Sequence, residues 1–376
     1  MASLARIPLV REWRRFLPAV FAVGFSGLLV FMQFALMLGL FRTISVYIDQ
    51  STAEIWVGYP GTLSVDQARN ISSRYEVILR MNPEVNGVEP FLWVPAEVRR
   101  PGGPAASSQL VGIDTRPDGM MLSHVLTPAS RAALEEPDTV LVDISKADTF
   151  AARPGSVLEI NGKRVTVAGL THGLGAVSGP NIVTSLATAR RLDPVWLAED
   201  EATYLLVSLR DPARAVQVCD ELQPRGPGGP YEAWTAAEFS RRSQLYWLFE
   251  TGMGLGFAFS SALGLLIGVV ITSQTLKAII NGSLREFATL RALGVSRGAL
   301  RLVVIEQSSW VGLLASVVTT VVAWGLVRVA ESFHVLIAAP GWAYAATGVF
   351  VLLIALLSGL FALRTLARAE PGILLR

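Results

Sequence analysis

Four long apolar runs, with about 200 residues inserted after the first, constrain this chain more than any other feature. Residues 16–40, 249–273, 302–327 and 342–363 are nearly free of charge. At about 1.5 Å of rise per residue, each is long enough as an α-helix to cross the roughly 30 Å hydrocarbon core of a bilayer. A cleaved signal peptide is the alternative for the first run. That run exceeds the roughly 7 to 15 apolar residues of such a segment, and no small-x-small cleavage site follows. The composition agrees with an integral membrane protein: 52% of the 376 residues are hydrophobic and 16% are charged.

The net charge of +2 hides a segregation. Residues 43–247 carry 18 Lys and Arg against 24 Asp and Glu, whereas the rest carries 14 against 6. Basic residues resist translocation, so their positions orient the spans. Arg6, Arg11, Arg14 and Arg15 precede the first span; Lys277, Arg285, Arg291, Arg297 and Arg301 lie between the second and third; Arg364, Arg368 and Arg376 follow the fourth. The expectation is a multi-pass inner-membrane protein with both termini and residues 274–301 in the cytoplasm. The inserted domain, residues 41–248, and the short loop at 328–341 then face outward. Residues 1–15 mix arginines with Ile7, Leu9, Val10 and Trp13, which suits either an interfacial helix or a plain topological flank.

The expected fold class is an α-helical membrane protein with four transmembrane helices and a large α+β extracytoplasmic domain between the first and second. Within the insert, SVLEINGKRVTVAGL predicts a hairpin, since Asn161-Gly162 supplies the positive φ angles of a two-residue turn. That turn pairs Leu158 with Val165 on an apolar face and Glu159 with Arg164 on a charged one. AEIWVGY, DTVLVDIS and ATYLLVSLR predict strands, and SVDQARNISSRYEVILR and PARAVQVCDELQ predict helices. PGGPAASS and PRGPGGP predict exposed loops.

Chemistry is hard to find in the insert. The three histidines, His124, His172 and His334, lack metal-ligand spacing, the single Cys219 forms no intrachain disulfide, and no phosphate-binding loop or nucleophile elbow is present. No catalytic residue, metal site or cofactor is expected in the chain, and nothing suggests nucleic acid.

Two patterns carry more. Gly252, Gly256, Ser260, Gly264 and Gly268 recur at every fourth position, the spacing that lets helix backbones approach closely in lipid. The partner is either the chain's own first span or a second copy. Between the second and third spans, Ser283-Leu284-Arg285-Glu286 matches a capping box, Leu284, Phe287, Leu290 and Leu293 form an apolar ridge, and Gly294 suits a left-handed stop. A topological flank needs positive charge but no capped, ridged helix, so a docking element is favoured over a passive interfacial helix.

The segment REFATLRALG, with one span, a large insert and three further spans, resembles the FtsX-like/MacB-like (type VII) ABC transporter permease family; ADTFAARPGSVLEINGKRVTVAGL resembles its outward domain. Without a Walker motif, the chain is most similar to the family's DevC-like branch, which has no fused ATPase. The resemblance implies a non-enzymatic permease working with a separate ABC ATPase subunit, which holds ATP and magnesium. It also implies a second permease copy, a periplasmic adaptor and outer-membrane channel, and contact with membrane lipid. In this reading Leu284, Arg285, Glu286, Phe287, Leu290, Arg291, Leu293 and Gly294 form the coupling helix. Export of lipid, glycolipid, peptide or hydrophobic cargo is the leading function. A mechanotransmission scaffold regulating an envelope hydrolase and a membrane-anchored enzyme are the alternatives.

Overall fold

The computed structural model describes residues 13–176, 179–224, 228–282, 297–333, 335 and 337–366. The chain divides into a membrane unit, residues 1–39 with 253–376, and an inserted domain, residues 40–252.

In the membrane unit, four helices among the described residues are long and apolar enough to cross a bilayer, over Phe16–Ile44, Met253–Thr275, Leu302–Ser332 and Gly341–Leu360. All four differ by a few residues from the expected spans, and the third runs past residue 327. Small residues let these helices approach. Thr319 Oγ1 donates to the Gly24 carbonyl at 3.0 Å and Ser316 Oγ to that of Gly348 at 2.9 Å. A Cβ placed on Gly27 would stand 2.1 Å from Val351, and one on Gly359 2.1 Å from Ser308. Close approach replaces the hydrophobic drive that lipid cannot supply.

The inserted domain is built on a ten-stranded sheet. Its strands are β1 (Ile55–Gly58), β3 (Val85–Arg99), β4 (Ala105–Ile113), β5 (Thr139–Asp143), β6 (Val157–Ile160), β7 (Lys163–Thr171), β8 (Gly175–Ala176), β9 (Gly179–Ser185), β11 (Tyr204–Leu209) and β12 (Glu232–Thr235). A separate pair joins β2 (Ile71–Ser72) to β10 (Glu201–Ala202). The main order is β12-β1-β11-β3-β4-β9-β5-β7-β6. The long β3 unites two halves, because its first part pairs with β11 and its second with β4 and β6.

The hairpin forms in the expected register, Leu158 opposite Val165 and Glu159 opposite Arg164. Asn161 and Gly162 have φ of 48° and 78°, the left-handed pair that a type I′ turn requires. Leu158, Ile160, Val165 and Val167 are buried as the alternation requires. The strand expectations at 55–58, 139–143 and 204–209 also hold.

Two expectations do not hold. SVDQARNISSRYEVILR is a helix only over Tyr75–Arg80; before it come a short 3-10 turn, Val65–Gln67, and β2. Tertiary partners override the helical pattern, since Asn70 Nδ2 donates to the Trp196 carbonyl and β2 pairs with β10. PGGPAASS is an exposed turn only around Gly102, whose φ is +74°, and its Ala-Ala-Ser-Ser already belongs to β4.

Both faces of the sheet are covered, which is why β1 is buried at every position. Ile55 and Val57 point to a core that also holds Leu79, Val218, Cys219 and Leu222 from the helices Tyr75–Arg80 and Ala215–Leu222. Trp56 points to the opposite core, with Val46, Tyr47, Ile48, Phe91, Tyr204, Trp234 and Phe239. This second core is where both chain connections to the membrane helices arrive.

Candidate functional site at the base of the inserted domain

The entering connection is helical almost throughout. The first helix runs Trp13–Ile44, Ser45 marks a kink with φ −91° and ψ 6°, and a further turn covers Val46–Asp49. The hydrogen bonds bridge the kink, Ser45 N donating to Phe41 O at 3.2 Å and Asp49 N to Ser45 O at 2.9 Å. Residues 43–48 are all buried.

The leaving connection begins on the helix Ala236–Leu245, capped by Thr235, whose Oγ1 accepts from Glu238 N at 3.3 Å. Phe239 and Ser243 are fully buried, with Ser240 on the same side. A π-helical turn follows over Tyr246–Glu250, and Gly252 adopts φ +75° before the second span starts at Met253. A Cβ on Gly252 would meet no atom within 4 Å, so backbone conformation and not space requires glycine there. Isolated π turns mark places where a helix has given up regularity for position.

Side chains tie the two connections together. The Asp49 carboxylate accepts from Ser45 Oγ at 2.5 Å and from Ser240 Oγ at 2.9 Å. Gln244 Nε2 donates to Ser45 Oγ at 3.1 Å. Asp49 is solvent-exposed, so this carboxylate contributes through hydrogen bonding more than through any long-range field.

Both connections also stand on one aromatic platform. Trp56 is at its centre, 5.8 Å from the Phe91 ring, 5.4 Å from Tyr204 and 5.9 Å from Phe239, and Phe239 stacks on Trp234 at 4.7 Å. Such rings bury large apolar area, and their offset or edge-on contacts add to it. Tyr47 carries the entering connection into the sheet: its hydroxyl donates to Asn181 Oδ1 and accepts from Trp93 Nε1 at 3.1 Å. Burial pushes the phenols of Tyr47 and Tyr204 well above their ordinary range, so both stay neutral hydrogen-bonding groups.

The segment 64–67 locks onto the leaving connection. Val65 N donates to Ser243 Oγ at 3.1 Å, Trp247 Nε1 to Asp66 Oδ1 at 3.1 Å and Gln67 Nε2 to the Tyr246 hydroxyl at 2.6 Å. Nearby, Glu232 accepts from Gly61 N, Trp234 Nε1 and Arg242 Nη1. Burial alone raises the Glu232 pKa, but these three donors outweigh it and hold the carboxyl below its usual range. A loop over the same face is pinned by the buried Glu89, which accepts from Met120 N at 2.6 Å, and by Arg131, which donates to the carbonyls of Asp114, Gly119 and Met121.

Among the described residues no cluster of His, Cys, Asp or Glu stands ready for a metal ion. Cys219 is buried, its thiol pushed up to about 12 by burial, and is therefore inert.

The residues singled out in sequence fall elsewhere. Leu284, Arg285, Glu286, Phe287, Leu290, Arg291, Leu293 and Gly294 lie outside the described residues. The small-residue strip divides. Gly264 and Gly268 are buried against the chain's own first helix, a Cβ on Gly268 standing 2.0 Å from Ser26 Oγ. Gly256 and Ser260 are exposed, and Gly252 lies before the helix, outside the strip. The base residues Tyr47, Asp49, Ser240 and Gln244 were missed. Their only signals were VYID directly after the first span and the capping pattern TAAE ahead of the second.

Comparison with known proteins then identifies the scaffold. Residues 17–225 match the MacB-like periplasmic core domain, and residues 258–371 match the C-terminal part of FtsX-like permeases. The chain belongs to the FtsX-like/MacB-like permease family. The MacB-like match alone spans more than half of the chain, and the family is one of ABC-type permeases. No curated protein matches the sequence. The periplasmic region of MacB from Actinobacillus actinomycetemcomitans is 13% identical with a TM-score of 0.38, over 52% of this chain and 94% of that one. The extracellular domain of the ABC-type transporter YknZ from Gram-positive bacteria is 10% identical with a TM-score of 0.34, over 49% and 99%. At these scores the likenesses add nothing to the family matches.

Proposed function

We propose that this permease converts the motion of a separate ATP-hydrolysing subunit into movement of its inserted domain, and thereby extrudes a lipid, glycolipid, peptide or other hydrophobic cargo. The observation that supports this reading is the base: two connections leave the membrane helices, join each other through Asp49, and share one aromatic platform. The coupling helix at 284–294 receives the motion on the cytoplasmic side, where the termini also lie, and two copies of the permease act together. ATP and magnesium reside on the partner, and an adaptor with an outer-membrane channel extends the outward path. The spans offer few ionisable side chains for a charged conduit, so cargo is moved by the domain and not led through the helices.

The test is copurification of the tagged full chain from its host in mild detergent. A subunit bearing a Walker motif is expected to accompany it, and Phe287→Asp with Leu290→Asp is expected to remove that subunit while the permease keeps its elution volume. Unchanged copurification of the ATPase would overturn the coupling assignment.

A further inference from the structure

The loop that precedes the 3-10 turn presents apolar side chains outward. Tyr59, Pro60, Gly61 and Thr62 form a tight turn, with Thr62 N donating to Tyr59 O at 3.3 Å and Gly61 at φ +76°. Pro followed by a left-handed Gly is the signature of a type II turn. The turn is braced by Gly61 N on Glu232 Oε2 at 2.7 Å and by Thr62 Oγ1 on Tyr59 O at 2.7 Å. A braced turn holds its outward side chains in place. These are Tyr59, 39% exposed, and Leu63, 42% exposed, and the Arg69 guanidinium lies 5.3 Å over the Tyr59 ring.

Covalent continuity says what covers them. Residues 64–67 are hydrogen-bonded to Ser243, Tyr246 and Trp247, and the second span begins only six residues after Trp247, at Met253. Residues 247–250 are coiled in the π turn, so this step is of the order of 9 Å, comparable with the roughly 5 to 8 Å headgroup layer on each side of the hydrocarbon core. Phe249, between them, is 71% exposed. Tyrosine, tryptophan and arginine with adjoining apolar side chains are the residue types that favour the membrane–water interface.

We propose that the turn at residues 59–63, with Arg69 and the π turn, is a lipid-binding foot that rests in the headgroup layer of the membrane. Tyr59 and Leu63 enter the layer, and Arg69 faces phospholipid phosphate. The foot needs no ATPase, so its test is independent of the transport reading.

The experiment uses the full chain in nanodiscs of phosphatidylcholine and phosphatidylglycerol. The only cysteine is removed by Cys219→Ala, and an environment-sensitive fluorophore is attached through Leu63→Cys, Phe249→Cys or Val216→Cys in separate preparations. Val216 is a suitable contrast: it is 69% exposed, but on the helix that covers the opposite face of the sheet. With nitroxide-labelled lipid, the probe at 63 is expected to lose about half of its emission, as the probe at 249 does, while the probe at 216 keeps its own. Two results overturn the proposal. One is quenching at 63 no greater than at 216 while 249 is quenched; the other is a blue-shifted probe at 63 that lipid does not quench, which would put a second protein surface there.

Discussion

The two connections between membrane helices and inserted domain are built differently. The entering one is buried from residue 43 to 48, hydrogen-bonded across its kink, and anchored in the sheet by Tyr47. The leaving one gives up α-helical bonding over Tyr246–Glu250 and passes through a left-handed Gly252 with open space around it. One connection is made as a strut, the other as a joint. Asp49 ties the two together through Ser45 and Ser240.

That contrast can be broken in several places. The largest loss is expected from Trp56→Ala, which empties the centre of the platform under both connections: about 3 to 5 kcal/mol, read as a lower thermal midpoint of the full chain in detergent. Tyr47→Phe keeps the ring but leaves Asn181 and the Trp93 N–H without their shared hydroxyl. It is expected to cost about 1 to 3 kcal/mol and to raise hydrogen exchange in the entering connection alone. Gly252→Ala adds a side chain where there is room but where φ is wrong, costing about 1 kcal/mol, with Gly252→Asn milder because asparagine tolerates the left-handed region. If both variants are as stable as the wild type, the joint is not held at that φ.

The smallest expected effect is that of pH on Glu232. Its folded-state pKa lies below the unfolded carboxylate value, so its stabilisation is complete above that value and is lost as pH falls through the folded-state pKa. Acidification from neutral pH to below the ordinary carboxylate range is expected to free the turn at 59–63, seen as faster exchange of the Gly61 amide. Glu232→Gln is expected to remove that pH dependence.

How much of this was legible depended on the range of the interactions. The four spans and the hairpin at 157–166 were readable because length, apolarity and Asn161-Gly162 act locally. The longest strand, Val85–Arg99, carries no strand signal in its sequence, since Gly87, Pro90 and Pro95 punctuate it. The structure tolerates these residues because the strand changes partners along its length, from β11 to β4 and β6. The base was illegible for a different reason. Asp49 and Ser240 are 191 residues apart, and nothing local in either segment names the other. The glycine strip was visible as a pattern, but only the packing showed that Gly264 and Gly268 meet the first helix while Gly256 does not.

The inequality of strut and joint is tested most directly by hydrogen exchange on the full chain in nanodiscs, comparing amides of residues 45–49 with those of 247–252. The account predicts that the first group exchanges with the slow amides of β1 and β11, and that the second exchanges at least about a hundredfold faster. Equal protection of the two groups would contradict it.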